Sequence, residues 1–489
     1  MSDQGETLLA VRNAIKLGGS LLLTLGVGIA VRLVLPRHLG PASFGVLTFA
    51  DAFTTTFFVA LGLGVDVYVR KHVSVRPEHA SDFFGGTLVL RAAMTGLVVL
   101  AMSIVMRATH RPPDVRRLVY FFAVAQFLVS LNTTLSAMLQ AKGNVGEMSL
   151  LSVVTKVAWA GGVLFALVSR GPLWEYAAAL VASETVKCAG LWGLAQRHLG
   201  LVARFDGAAT KAMVLASLPY YLANFASNVY GRLDVTILAV FATSREVGWY
   251  AASSTIANLA LLVTPLIEWV LMPSFARAAA RSREELFTRV RSATELVLGF
   301  VIPVSLFVSV GADVWVRVLF GAAFAPAAAA VRILATTFVL MYVGIIYGLT
   351  LTMLERAWTL TAILFGGLVV NVGLNLAIIR FSLALGDGAG GAGCALAVLG
   401  TEIAVTTAMI AVVGRHAFDR ATLASLGKTV GACALVVLVD RLLAAPLGAA
   451  RIALDVAVYA VTVIMTGALR TRALAAVVVT AFRQRPARA

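Results

Sequence analysis

Ionisable side chains lie deep inside long apolar segments of this sequence, and they are the groups best able to do chemistry there. A charge in hydrocarbon costs at least about 2.5–3.5 kcal/mol on insertion scales, so each one needs a partner or a water-filled cavity. Buried pairs that hold helices together, such as Glu184 with Lys156 or Arg91, are one explanation. The deep bases nevertheless outnumber the acids that can obviously cancel them, which indicates a site for an anion.

Arginine suits such a site because its planar fork of donors matches phosphate, so phosphate or pyrophosphate is the predicted ligand class. The predicted substrate-binding residues are Arg232, Arg32, Arg91 and Lys156. The predicted residues for coupling to H+ or Na+ are Asp51, Asp234 and Glu268. Arg32 lies one turn before Pro36, so an anchor that snorkels to the membrane surface is an alternative interpretation of this residue.

No catalytic or metal-binding motif accompanies these charges. The histidines all lie in or beside predicted loops without HExxH spacing, and no GxxxxGK[ST] phosphate loop is present. Cys188, Cys394 and Cys433 lie far apart inside apolar runs, which is typical of packing residues. We therefore predict no enzyme, no catalytic residue, no metal and no cofactor, and leave only coupling to H+ or Na+ open.

Membrane-spanning helices must position these charges. The 489 residues are 60% hydrophobic and 13% charged, whereas soluble proteins have about 25% charged residues. The apolar runs are long enough to cross hydrocarbon as helices and too long for barrel strands. We predict an all-α polytopic membrane protein with about fourteen transmembrane helices. The predicted spans include 83–106, 118–140, 148–168, 174–195, 327–351 and 357–379. The net charge of +16 lies mostly in short loops, so nucleic acid is not an expected partner.

Loop charges predict the orientation. Lysine and arginine concentrate on one side of the predicted membrane, which places both termini in the cytoplasm. One loop opposes the rule, because four arginines would face outward: Arg107, Arg111, Arg116 and Arg117. Two further expectations concern the cytoplasmic side. Asp66 should pair with Arg70 at a helix end, and residues 274–292 should form an amphipathic cytoplasmic helix.

An internal repeat predicts the domain organisation. Residues 178–184 (AALVASE) resemble residues 396–402 (LAVLGTE), and both place a hydroxyl residue and a glutamate in an apolar helix. An even number of helices in each half gives a parallel repeat with a cavity between the halves. We predict two six-helix lobes related by a parallel pseudo-two-fold axis, at 1–197 and 215–414, with a cytoplasmic linker at 198–214. Residues 415–489 contain two further helices and a basic cytoplasmic tail.

Short motifs also occur in a characteristic order along most of the chain. They are LGPASFG at 39–45, SLP at 217–219, RLD at 232–234, VGWYA at 247–251, Asn371 with Asn375, and the segment 393–402. In order and spacing they resemble the polysaccharide-transporter family, which includes O-antigen and other lipid-linked oligosaccharide flippases. That family belongs to the multidrug/oligosaccharidyl-lipid/polysaccharide exporter superfamily.

The resemblance implies a V-shaped cationic cavity lined mainly by helices one, two, seven and eight. That lining favours Arg32, Asp51, Arg232, Asp234 and Glu268 over Arg91 and Lys156. It also implies that an undecaprenyl-pyrophosphate-linked oligosaccharide moves by alternating access to the outer leaflet of a bacterial inner (plasma) membrane. The product would serve assembly of a surface polysaccharide such as lipopolysaccharide O-antigen, capsule or exopolysaccharide.

The implied partners are the lipid-linked oligosaccharide, membrane lipids and, as a further candidate, a polysaccharide polymerase complex. Two alternatives remain open. A cation-coupled drug antiporter of the same fold should have a cavity rich in acids rather than bases. A lipid II flippase also has fourteen spans in this superfamily, but its pattern at helix one differs from LGPASFG.

Overall fold

The computed structural model describes residues 3–62, 64–66, 68–69, 73, 80–143, 145–414 and 420–466. Within these residues every regular element is a helix, which confirms the predicted all-α membrane class. Eight of the described helices are long and apolar enough to cross a membrane. The count of fourteen spans, the two six-helix lobes and the lobe boundaries remain predictions.

The chain divides into two compact units, Met1–Ala251 and Ala252–Ala489. The helices of the first unit are α1 (Asp3–Phe58), α2 (Ala80–Ala108), α3 (Pro113–Ala141), α4 (Val145–Val168), α5 (Leu173–Leu199), α6 (Gly207–Phe241) and the first part of α7 (Ser244–Ala260). Most begin and end within a few residues of the predicted spans, because length and hydropathy are properties of the local sequence.

A kink at Gly40 divides α1 into two arms, 3–39 and 41–58. The φ of 71° at this residue lies in the left-handed region, where glycine is favoured because it has no Cβ. The LGPASFG motif at 39–45 therefore forms a turn with a single non-helical residue. The turn packs on the start of α7, since a Cβ at Gly45 would lie 1.8 Å from the Ser244 carbonyl oxygen and one at Gly248 would lie 1.9 Å from that of Pro41.

An apolar core joins the helices of the first unit. Its fully buried members include Val69 after α1, Leu135 and Met138 on α3, Leu191 on α5 and Met213 on α6. The start of α6 is fixed by Asp206, whose carboxylate accepts hydrogen bonds from the backbone of residues 208 and 209 at 2.8 and 3.1 Å. This is an ordinary N-cap, and it satisfies two of the free amide groups that begin the helix.

The second unit contains the end of α7 and eight further helices. They are α8 (Thr264–Arg281), α9 (Arg283–Val310), α10 (Ala312–Phe320), α11 (Ala327–Met353), α12 (Ala357–Ser382), α13 (Ala389–Val413), α14 (Arg420–Leu447) and α15 (Arg451–Thr466). In this unit α11 packs between α9 and α13, and α12 packs on α13. The short helix α10 was not predicted.

The prediction of an amphipathic helix at 274–292 is wrong. That polar segment is shared between the end of α8 and the first turns of α9. Ser282 separates the two helices because it adopts an extended backbone conformation and its hydroxyl accepts a hydrogen bond from the Glu285 amide at 3.0 Å. A serine followed three residues later by glutamate is a helix-start signal, and here it outweighs the amphipathic pattern.

The two C-terminal helices pack on α9 through a small apolar cluster that includes Val310, Val436 and Tyr459. Charged contacts lie beside this cluster. Arg451 at the start of α15 lies 2.6 Å from the Asp313 carboxylate and 3.0 Å from that of Asp440. The guanidinium thereby links α10, α14 and α15.

Candidate functional site

Charged side chains from α1, α4 and α5 gather around Lys156 in the first unit. Arg32 and Asp51 come from the two arms of α1, and Glu184 and Lys187 come from α5, all within electrostatic range of the Lys156 ammonium group. We call these five residues the Lys156 cluster. Three bases and two acids leave a surplus of positive charge.

The position of Lys156 follows from a close approach between α1 and α4. A Cβ at Gly28 would lie 3.5 Å from Cε and 3.8 Å from Nζ of Lys156, so the lysine side chain runs along the surface of α1. Its ammonium group lies 3.7 Å from the centre of the Trp159 ring, one turn further along α4. An ammonium group over an indole face is stabilised by a cation–π interaction, which holds the charge without neutralising it.

Hydrogen bonds fix the acidic side of the cluster. Ser183 donates to the Thr155 carbonyl oxygen at 2.8 Å and ties α5 to α4. Asn132 on α3 donates to the Glu184 carboxylate at 2.8 Å and to its backbone carbonyl at 3.0 Å. Part of the hydrogen-bonding capacity of the Glu184 carboxylate is therefore used by an uncharged partner, Asn132.

The bases of the Lys156 cluster remain available to bind an anion. Among the described residues, no ion pair shorter than 4 Å involves any member of the Lys156 cluster. Arg32 is exposed, and the other four members are half-buried. The cluster thus offers cationic donors on three helices to an anion that can reach it.

Arg91 has a different environment. Its side chain is 2% exposed, and Nη2 lies 2.8 Å from Oδ2 of Asp66, which follows α1. Nη1 contacts the Ser130 carbonyl oxygen and the Thr134 hydroxyl on α3. Thr134 in turn donates to Oδ1 of Asp66 at 2.8 Å. The predicted partner of Asp66, Arg70, lies outside the described residues, whereas Arg91 fills that role.

The remaining predicted site residues occupy separate positions. Arg232 is exposed on α6, whereas Asp234 is 7% exposed on another face of the same helix and accepts a hydrogen bond from Tyr250 at 3.3 Å. Glu268 is exposed on α8 in the second unit. Of the predicted site residues, the structure therefore brings together Arg32, Asp51 and Lys156.

Sequence reasoning missed some members of the site. Lys187 was not among the predicted site residues, and Glu184 was considered only as an acid in a buried pair, but both lie within electrostatic range of Lys156. Trp159 could have been found from its position three residues after Lys156, because such residues share a helix face. Asn132 carries no comparable signal, since it comes from a different helix.

Known proteins resemble this chain in sequence and in fold. The probable low-salt glycan biosynthesis flippase Agl15 of Haloferax volcanii is 25% identical over 354 residues, which are 70% of this chain and 72% of that protein. The fold resembles that of the lipid II flippase MurJ in an inward closed conformation, with a TM-score of 0.70, 10% identity, and coverage of 94% of this chain and 99% of that one.

A second similar structure is an inward-facing multidrug resistance MATE family transporter of the MOP superfamily. Its TM-score is 0.66 at 16% identity, with coverage of 82% of this chain and 97% of that one. Residues 34–329 match the model of a family described as "Polysaccharide biosynthesis protein". This match covers more than half of the chain and confirms the resemblance in the sequence motifs. The chain is thus a multi-span helical membrane protein that belongs to the polysaccharide biosynthesis protein family.

Proposed function

We propose that this protein flips a lipid-linked oligosaccharide across the membrane, with undecaprenyl pyrophosphate as the carrier. In this proposal the pyrophosphate contacts the bases of the Lys156 cluster while the lipid tail stays in the bilayer. The direction is from the cytoplasmic to the outer leaflet of a bacterial inner membrane, by alternating access. The exported glycan serves surface polysaccharide assembly, with O-antigen as one candidate.

The observation that carries the proposal is the surplus of bases without ion-pair partners, two of them half-buried and one exposed. Arg32, Lys156 and Lys187 face two acids, and one of those acids is already hydrogen-bonded by Asn132. An anion with several oxygens gains charge-assisted hydrogen bonds from such donors. A drug antiporter that transports cations should have the opposite balance, so the base-rich cluster favours the flippase.

Coupling to H+ or Na+ is a further part of the proposal. Asp51 is the candidate that lies within the cluster, where a bound cation would compete with the neighbouring bases for its carboxylate. Asp234 and Glu268 remain candidates for the coupling residue, although neither belongs to the Lys156 cluster. A polysaccharide polymerase is the proposed protein partner, and a polymerase gene beside glycosyltransferase genes at this locus would support it.

The test is transport by the purified full chain in liposomes. The probe is a fluorescent oligosaccharide on polyprenyl pyrophosphate, and the variants are Lys156→Gln and Arg32→Gln. The matched control is Arg245→Gln, which removes an exposed arginine at the start of α7. We expect each cluster variant to slow transport by about tenfold, or roughly 1.4 kcal/mol, and the control to transport normally.

Two outcomes would contradict the proposal. One is unchanged transport by both cluster variants, which would separate the cluster from the substrate. The other is equal transport of an oligosaccharide on uncharged polyprenol, which would remove the need for an anion site. Lipid II in a parallel experiment distinguishes the alternative flippase, because the two substrates differ in the glycan.

A further inference from the structure

A pocket of about 460 Å³ lies where α2 ends and α3 begins. Three of its lining residues are arginines, and the others are a proline and two aromatic residues: Arg107, Pro113, Arg116, Arg117, Tyr120 and Phe121. These arginines belong to the loop region that opposes the positive-inside rule. The proposed transport mechanism does not use them.

The fourth arginine of this region has a packing role that separates it from the others. Arg111 donates a hydrogen bond to the Ala239 carbonyl oxygen on α6, and its guanidinium lies 4.6 Å from the centre of the Phe49 ring. Burial lowers the pKa of Arg111, although an arginine remains charged. Arg111 therefore holds the loop against α6, whereas Arg107, Arg116 and Arg117 line the pocket.

The pocket arginines are not neutralised by the protein. In the part of the chain that the structure describes, none of the three side chains takes part in an ion pair or a hydrogen bond. Arg116 and Arg117 also lie near the N-terminus of α3, where the positive end of the helix dipole opposes a cation. The one acid in that turn is Asp114. An anion in the pocket would relieve this repulsion.

An exposed apolar stripe begins at the same place. Ile104, Leu100 and Leu97 precede Arg107 at helical spacing on α2 and are 59%, 59% and 68% exposed. At 1.5 Å per residue the stripe extends about 15 Å from Arg107, which is half of a hydrocarbon thickness of about 30 Å. That length matches the acyl chains of one leaflet.

Aromatic side chains mark the level of the membrane surface. Tyr120 is 39% exposed, and its hydroxyl lies 3.0 Å from that of Ser103, so α2 and α3 are joined beside the pocket. Phe121 stacks on Trp174 at the start of α5 with ring centres 5.6 Å apart. Aromatic rings concentrate at the interface between headgroups and hydrocarbon.

From the three unpaired arginines above a one-leaflet apolar stripe, we infer that this pocket binds the phosphate headgroup of an anionic phospholipid. The arginines contact the phosphate, and the acyl chains lie along Ile104, Leu100 and Leu97. Basic pockets beside transmembrane helices recognise lipid headgroups by this chemistry. With the predicted cytoplasmic N-terminus, the lipid belongs to the outer leaflet.

The test is lipid binding to the purified full chain by native mass spectrometry. Phosphatidylglycerol and phosphatidylcholine of equal chain length are titrated into wild type and into the triple variant Arg107→Gln/Arg116→Gln/Arg117→Gln. The matched control, Arg37→Gln/Arg170→Gln/Arg245→Gln, removes the same charge from exposed arginines elsewhere in the first unit. We expect phosphatidylglycerol to bind about tenfold more tightly than phosphatidylcholine in wild type and in the control, and this preference to disappear in the pocket variant.

The same preference in the pocket variant as in wild type, or no preference in wild type, would overturn the inference. A third arm uses inorganic pyrophosphate, and complete displacement of the lipid at a comparable concentration would also overturn the inference, because it would show an anion site without lipid selectivity. Thermal unfolding establishes that the pocket variant is folded. If it is not, the single variants Arg107→Gln and Arg117→Gln replace it, because both side chains are exposed.

Discussion

Two groups of charged side chains in the first unit use the same residue types in opposite ways. At Arg91 the guanidinium is buried, pairs with Asp66 at 2.8 Å and contacts two further acceptors on α3. Around Lys156, bases and acids lie near one another without an ion pair shorter than 4 Å among the described residues. The first group is held in an ion pair within the protein, whereas the bases of the second group have no ion-pair partner among the described residues.

The difference teaches that a charge within an apolar segment does not by itself indicate a ligand site. A buried base that is paired with an acid links the helices that contribute the pair, and removing its partner leaves a costly unpaired charge. A half-buried base beside an aromatic ring keeps its charge available. Arg91 and Lys156 were predicted for the same role, and only their surroundings distinguish them.

The largest expected effect is on the Arg91–Asp66 ion pair. Asp66→Asn should lower the free energy of unfolding by about 3–5 kcal/mol, because it leaves the buried Arg91 charge without its partner. Arg91→Gln should act in the same direction with a smaller effect, because the Asp66 carboxylate that it leaves unpaired is 18% exposed. The double variant should recover part of this loss, since it removes both charges. Thermal unfolding of the detergent-purified chain measures all three. A double variant whose loss equals the sum of the single losses would show that the pair is not coupled.

Arg232 tests whether an exposed base outside the Lys156 cluster also serves the substrate. Arg232→Glu should reduce glycan export by about a hundredfold, or roughly 2.8 kcal/mol, because it replaces a phosphate donor with a repelling carboxylate. Arg232→Ala should have the same direction with a smaller effect. Export is measured in cells with protein levels checked by immunoblot. Normal export from both variants would remove Arg232 from the site.

Asn132 links α3 to the Lys156 cluster through its hydrogen bond to the Glu184 carboxylate. Asn132→Ala should lower the free energy of unfolding by about 1.5–3 kcal/mol, the range for a hydrogen bond to a charged group. It should also free the Glu184 carboxylate to pair with a base of the cluster, which would weaken binding of a polyprenyl-pyrophosphate glycan. Thr133→Ala is the control, because its exposed hydroxyl bonds only its own helix. Equal stability of the two variants would contradict this assignment.

The smallest effect is expected at Asp51, the carboxylate that corresponds to Asp66 in the comparison. Asp51→Asn should change the free energy of unfolding by less than about 0.5 kcal/mol, since no ion pair is broken. If Asp51 couples transport to H+ or Na+, the variant should transport without dependence on the ion gradient. Unfolding and liposome transport are measured on the same preparation. A loss of stability as large as that of Asp66→Asn would contradict the difference between the ion-paired Arg91 group and the Lys156 cluster.

The sequence alone determined the membrane class, the family and most helix bounds. The predicted spans 327–351 and 357–379 correspond to α11 (Ala327–Met353) and α12 (Ala357–Ser382). Such predictions succeed because a run of apolar residues long enough to cross a bilayer must satisfy its backbone within the helix. The exception at 274–292 arose where one serine cap divided a continuous polar pattern.

Only the tertiary structure decided which charged side chains are paired within the protein and which have no ion-pair partner. Asp66 meets Arg91 on α2, and Glu184 meets Asn132 on α3, across chain separations that no local pattern encodes. The energy of a charge depends on the distance to its partner and on its exposure, and both are set by the packing of distant helices. The sequence could therefore name the deep bases, and packing determined that Arg91 is ion-paired with Asp66 while Lys156 has no ion pair shorter than 4 Å.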